Sequence, residues 1–202
     1  MRIPYVPNPP PTPTPEDAAI VSRITARRAP RPLQPLDLAL LHSPPIADGW
    51  NAFLGAVRTR SSLPASLREL AICRVAVCNG AWYEWAHHAP LASAAGLGPA
   101  ALALVRETDL GTVADDDHER RQAARADGLG DAEWAVLRYA DEMTRRVAVA
   151  DDTFRALRAV CDQREVVEVT ATVAAYNCVS RFLVALDVGE RNGTGPDDVV
   201  EH

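Results

Sequence analysis

Apolar residues recur at steps of three and four along most of this chain, and no stretch alternates strictly enough to read as a strand. Thr14-Pro15-Glu16-Asp17 makes a helix start: a capping hydroxyl, proline in the first turn, and acids beside the exposed amides. That helix should span residues 15–28 and stop before Pro30. A short helix over residues 35–41 ends at His42-Ser43-Pro44-Pro45. Ile46, Trp50, Phe53, Leu54 and Val57 then mark an amphipathic helix. The next helix opens at Ser62-Leu63-Pro64, carries Leu67, Leu70, Ala71, Val75 and Cys78 inward, and stops at Asn79-Gly80. Helices over residues 81–95 and 99–108 follow. Residues 109–131, with an acidic triplet and glycines, should form a mobile connection holding one short helix. Residues 132–146, 152–161 and 164–186 complete the set, the last introduced by a capping pair, Asp162 and Glu165. The fold class expected is all-α.

Six of the sixteen prolines fall in residues 1–14, so this segment cannot be helical and should run extended. It is either a free arm or a strap over a neighbouring surface, and Ile3, Tyr5 and Val6 favour the strap. Residues 15–190 then form one helical domain, and residues 191–202 a flexible acidic tail. The final helix is apolar nearly all round, so it must be central or shared between subunits. A homo-oligomer (dimer, trimer or hexamer) is the expectation.

A net charge of -6 argues against nucleic acid as a partner. No apolar run looks as long as the roughly 20 residues a bilayer span needs. The N-terminus lacks the apolar segment of a secretory signal, so cytoplasmic residence is expected. Cys73, Cys78, Cys161 and Cys178 lie in apolar patterns without a CxxC pair, as buried free thiols would.

The candidate chemistry sits in two consecutive apolar helices. Glu69 is on the first, and Glu84 and His88, one turn apart, are on the second. Ionised groups are costly to bury, so acids and an imidazole on core-facing helices suggest a proton-transfer site; solvated faces or structural ion pairs are the alternative. His87 should point about 100° away from His88, a poor arrangement for a shared metal ion. No metal and no cofactor is expected. Trp82 and Tyr83 crowd the start of the helix, as core or as pocket lining. Asn177 and Arg181 share a face of the last helix, as a structural bridge or as an anchor for a substrate carboxylate.

Glu69, an eleven-residue gap, Ala81-Trp82-Tyr83-Glu84 and then His88 resemble the core motif of the carboxymuconolactone decarboxylase and alkylhydroperoxidase-D-like family. Its peroxidase members carry Glu, eleven residues, Cys-x-x-Cys, three residues, His. YEWAHHAPLASAAGL and VVEVTATVAAYNCVSRFL also look like that family, and the similarity spans residues 35–190. Ala81 and Glu84 stand where the two cysteines belong, so a disulfide-cycling thiol peroxidase is disfavoured. The resemblance implies instead a compact helical oligomer and a cofactor-free lyase acting on a small carboxylated or enolisable metabolite, with decarboxylation favoured. Glu69, Glu84 and His88 would be catalytic, Glu84 orienting His88. Arg181, Asn177, Trp82 and Tyr83 would bind substrate. A dehydratase or cyclase, and a non-catalytic oligomer binding a ligand, are the alternatives.

Overall fold

The computed structural model describes residues 1–110 and 113–198, and for residues 113–118 the backbone alone. Ten α-helices and no strand occur among the described residues: α1 (Pro15–Arg28), α2 (Pro35–Leu40), α3 (Pro44–Gly55), α4 (Ala65–Asn79), α5 (Trp82–Ala94), α6 (Pro99–Val105), α7 (Val113–Ala126), α8 (Asp131–Arg146), α9 (Asp151–Val160) and α10 (Gln163–Leu186). A π-helical turn, Ala56–Arg60, extends α3.

Helix α4 is the axis, packed against α5, α8 and α10. Leu70, Ala71, Ile72, Cys73, Val75 and Ala76 are wholly enclosed, because its sequence is apolar on every side. Arg74 is enclosed with them. Its guanidinium donates to Asp141 at 2.5 and 2.9 Å and to the carbonyls of Val105 and Glu107, locking α4 to α8 and to the end of α6. Gly80, at φ 62°, supplies the left-handed turn that folds α5 back along α4. Glu69 and His88 are thereby brought face to face.

Helices α1, α2 and α3 close a smaller apolar cluster through Ile20, Ile24, Leu40, Leu41 and Ala47. The Trp50 and Phe182 rings pack at a tilt, with centroids 5.3 Å apart, and tie this roof to α10. Residues 1–6 run along the end of α10: Arg2 N–H donates to the Leu186 carbonyl at 2.8 Å, and His42 pairs with the Pro4 carbonyl at 2.7 Å. Gly189 N–H donates to the Tyr5 hydroxyl at 2.8 Å.

Gly189 has φ +73°, and a Cβ built there would lie 2.4 Å from Tyr83 Cδ2. Gly189→Ala combines backbone strain with a clash against a packed ring, and should cost about 1–3 kcal/mol. A fall in the thermal midpoint, together with altered Tyr83 fluorescence, would check this.

Several expectations change. Residues 113–126 form a full helix rather than a short one, with Leu129 and Ala124 buried to anchor its end; positions 111–112 lie outside the described residues. Helix α10, at 24 residues, is long and apolar enough by composition to cross a bilayer, against the expectation that no run reaches that length. It packs on α4, α5, α8 and α9, where its apolar character fills a core. Cys178 is exposed rather than buried. The tail is held as far as it is described: Trp85 Nε1 donates to the Pro196 carbonyl at 3.1 Å, and Arg106 pairs with Asp197 at 2.7 Å. Residues 199–202 lie outside the described part.

Candidate functional site

A cavity of about 70 Å3 lies between the α1–α3 roof and the α5 and α10 faces. Its walls include Trp50, Arg58, Tyr83, Glu84, His88 and Tyr176. The sequence builds it from helix periodicity. Glu84 and His88, four apart on α5, face the cavity together, and Tyr176, Val179 and Leu183 supply the facing stripe of α10.

His88 is 6% exposed and lies between two partners. Its Nδ1 is 2.6 Å from Glu69 Oε2, and its Nε2 is 3.3 Å from the Tyr176 hydroxyl. Burial pushes the imidazole below its ordinary pKa, and the hydrogen bond to Glu69 restores only part of that loss. Burial pushes the Glu69 carboxyl up, but the hydrogen bond and charge of His88, with the nearby arginines, outweigh it and hold Glu69 below the usual range. At neutral pH the pair is therefore a carboxylate accepting from a neutral imidazole. The proton sits on Nδ1, and Nε2 is left to accept from the tyrosine.

Glu84 behaves oppositely. It is 2% exposed, and neither carboxyl oxygen has a hydrogen-bond partner among the described residues. Burial alone drives its pKa well above the ordinary carboxylate value and so favours the neutral acid. Two acids in one site are thus pushed in opposite directions by their surroundings.

The expectation that Glu84 orients His88 is corrected: Glu69, across the helix hairpin, takes that position. A partner one turn away on the same helix must reach along the axis, whereas the facing helix meets the ring edge-on. His87 stacks on Tyr83 at 4.3 Å, bonds the Tyr83 carbonyl through Nδ1, and borders the cavity. No cluster of three metal-ligating side chains occurs among the described residues.

Of the residues expected to bind substrate, Tyr83 lines the cavity and Trp82 does not; Trp82 borders a separate groove beside Cys78 and Arg106. Asn177 and Arg181 also lie off the cavity. Asn177 bridges to Thr144 at 3.0 Å and to Asn79 at 3.1 Å, while exposed Arg181 folds back onto Asn177. Both belong to a bridge that registers α10 against α4 and α8, because α10 turns Tyr176 rather than its neighbour toward α5.

Tyr176 and Arg58 were not among the site candidates. Tyr176 stood in the same polar interruption of α10 as Asn177, and its place one turn before Ser180 and Val179 on the inward stripe was the available signal. Arg58 had none, because the π-helical turn that swings it onto the cavity wall breaks the 3.6-residue period. The turn is held from behind. Ser61 and Ser62 donate to Glu168 of α10, and although burial works against the charge, these bonds and that from Arg164 lower the Glu168 carboxyl to about 2. Arg58 has no hydrogen-bond or carboxylate partner among the described residues, so its guanidinium is available to a ligand.

The thiols do not join this chemistry. Burial raises Cys73 well above its ordinary range and Cys78 to about 11, and both remain protonated at neutral pH. Iodoacetamide under native conditions should therefore modify exposed Cys178 first and leave Cys73 unmodified for hours, as mass spectrometry would read.

Residues 44–142 match the model of the carboxymuconolactone decarboxylase family. Two solved structures share the fold. A protein of unknown function from Agrobacterium tumefaciens, described as a candidate antioxidant defence protein AhpD, superposes with TM-score 0.60 at 20% identity, covering 80% of this chain and 94% of its own. An uncharacterized peroxidase-related protein from Silicibacter sp. TM1040 superposes with TM-score 0.68 at 16% identity, covering 95% of both chains. No curated protein matches the chain.

Proposed function

From a chain whose residues 44–142 carry the carboxymuconolactone decarboxylase family domain, we propose a cofactor-independent proton-transfer enzyme, a decarboxylase or related lyase acting on a small anionic, enolisable substrate. The observation that carries this is the meeting, at one cavity wall, of a Glu69–His88–Tyr176 hydrogen-bonded chain with a buried, unpartnered acid, Glu84.

In the favoured reaction the substrate carboxylate leaves as carbon dioxide, and the electron pair of the broken carbon–carbon bond becomes an extended enolate. The Glu84 proton ends on carbon. The Glu84 carboxylate so formed is buried without a hydrogen-bond partner and strongly reclaims a proton, which solvent supplies and His88 can relay by taking it up on Nε2 and passing it on. Tyr176 donates to neutral Nε2 at rest and to the developing enolate oxygen during the reaction, and accepts from Nε2–H once His88 is protonated. Arg58, on the cavity wall, orients the substrate carboxylate in the role first considered for Arg181. A thiol peroxidase is disfavoured because Ala81 and Glu84 occupy the two cysteine positions and the buried thiols stay protonated.

Carboxylated lactones and other β,γ-unsaturated acids, incubated with the enzyme in heavy water, should release carbon dioxide and acquire one deuterium at carbon. Arg58→Gln should raise KM by about tenfold to a hundredfold with a smaller change in kcat, since a charged hydrogen bond of about 1.5–3 kcal/mol is lost from binding. If a substrate found in such a panel turned over without solvent hydrogen entering the product, the proton-transfer assignment would fail.

A further inference from the structure

The cavity beside His88 is too small to hold more than the reacting end of a metabolite. Immediately outside it lies an open groove of about 360 Å3. Arg27 and Arg58 line both spaces, so the two are continuous across these side chains. The groove adds Arg68 and the outer side of Glu69, with the small residues Ala65, Ala94 and Ala95 leaving room between them.

The charge in this groove is unbalanced. Three guanidiniums face one carboxylate, and that carboxylate already shares its charge with the His88 ring at 2.6 Å. Arg68 reaches Glu69 only at 3.4 Å and spends its other end on the Leu63 carbonyl at 3.3 Å. Arg27 leans on the neutral amide oxygen of Asn51, its nearest acid being Asp37 at 3.9 Å, which is claimed more closely by Arg28 at 2.7 Å. Burial and the charges of Arg28 and Arg58 both work against protonated Arg27. Arg27 and Arg58 thus bring positive charge to the groove with no close carboxylate inside it, an arrangement that favours an anion there.

We propose that this groove seats a dianionic phosphate group carried on the far end of the substrate, whose reacting end enters the cavity past Arg58. The number of donors selects phosphate over a second carboxylate. A carboxylate has two oxygens and is satisfied by one bidentate guanidinium, whereas the three free oxygens of a phosphate can each accept from a separate arginine fork. This refines the proposed activity by naming a substrate class, and its second half rests on that activity; the phosphate site itself does not.

Titration calorimetry on the full chain, with inorganic phosphate as the probe and acetate and succinate as comparisons, separates the two. Phosphate should saturate one site and bind at least about tenfold more tightly than acetate or succinate. Arg58→Gln and Arg68→Gln should each weaken phosphate by about tenfold or more, with Arg58→Gln deciding if Arg68→Gln lowers the thermal midpoint. Glu69→Gln should tighten phosphate, because it removes the competing charge, while lowering kcat by about a hundredfold or more. His88→Ala should leave phosphate affinity within about twofold. Absence of saturable phosphate binding, equal affinity for succinate, or indifference to both arginine variants would each overturn the proposal. A fully active His88→Ala enzyme would instead refute the proton-transfer activity and leave the phosphate result standing.

Discussion

Glu69→Gln and His88→Ala should each lower kcat by about a hundredfold to ten-thousandfold, the range that a positioned acid–base group contributes. The two losses arise differently. His88→Ala removes the relay itself and leaves the Tyr176 hydroxyl facing a void. Glu69→Gln keeps the ring, because the amide oxygen still accepts from Nδ1, but removes the negative charge that stabilises the imidazolium when Nε2 takes a proton. The pH profile tells them apart. His88 titrates below the ordinary histidine value, so a rate that needs its neutral form should be level above about pH 6.5 and fall only in the acid range. The Glu69 charge raises the imidazole pKa, so its loss in Glu69→Gln moves that acid limb to lower pH. Rate profiles of wild type and Glu69→Gln, recorded from pH 4.5 to 8, would show the displacement. A limb that stays in place would mean another group governs it.

The helices were legible because each carried its own local instructions. The Thr14 cap and Pro15 start α1 where expected, the Asp162–Glu165 capping box opens α10, and Gly80 adopts the left-handed turn that ends α4. The Glu69–His88 meeting was foreseeable as a consequence of that short hairpin. What sequence patterns could not supply was the identity of the facing side chain. Whether Glu69 or Glu84 holds the imidazole depends on the rotation of α4 about its axis, and that is set by burying Arg74 against Asp141 rather than by any periodicity in α5. Asn177 and Arg181 carried the right chemistry on the wrong face for a similar reason. A helix apolar on nearly every side leaves its rotation to its neighbours, and α10 turns Tyr176, Val179 and Leu183 to the cavity. Arg58 depended on a π-helical turn, an irregularity that no spacing rule announces.

Glu84→Gln should abolish proton donation and at the same time make the protein more stable at neutral and alkaline pH. The sign follows from linkage. An unfolded glutamate releases its proton near pH 4.3, whereas folded Glu84, wholly buried and unpartnered, holds its proton to far higher pH. Between those two values the folded state binds one more proton than the unfolded state, so wild-type stability falls as pH rises through the interval. Below about pH 4 both states are protonated and the contribution vanishes. Glutamine has no proton to lose. The gain from Glu84→Gln should therefore be near zero in acid and grow by up to about 1.4 kcal/mol per pH unit until Glu84 ionises in the folded protein. Denaturant unfolding of both proteins at pH 4, 6 and 8 measures it directly. His88 and Glu69 contribute in the opposite sense, since their depressed pKa values stabilise the fold above the unfolded values and lose that support as pH falls, but they are common to both proteins and cancel in the difference. A flat difference across pH would mean that Glu84 is ionised or solvated in the folded state, and the neutral acid on which proton donation depends would not exist. A rising difference with kcat reduced about a hundredfold or more would show a site whose catalytic acid is kept at the expense of stability.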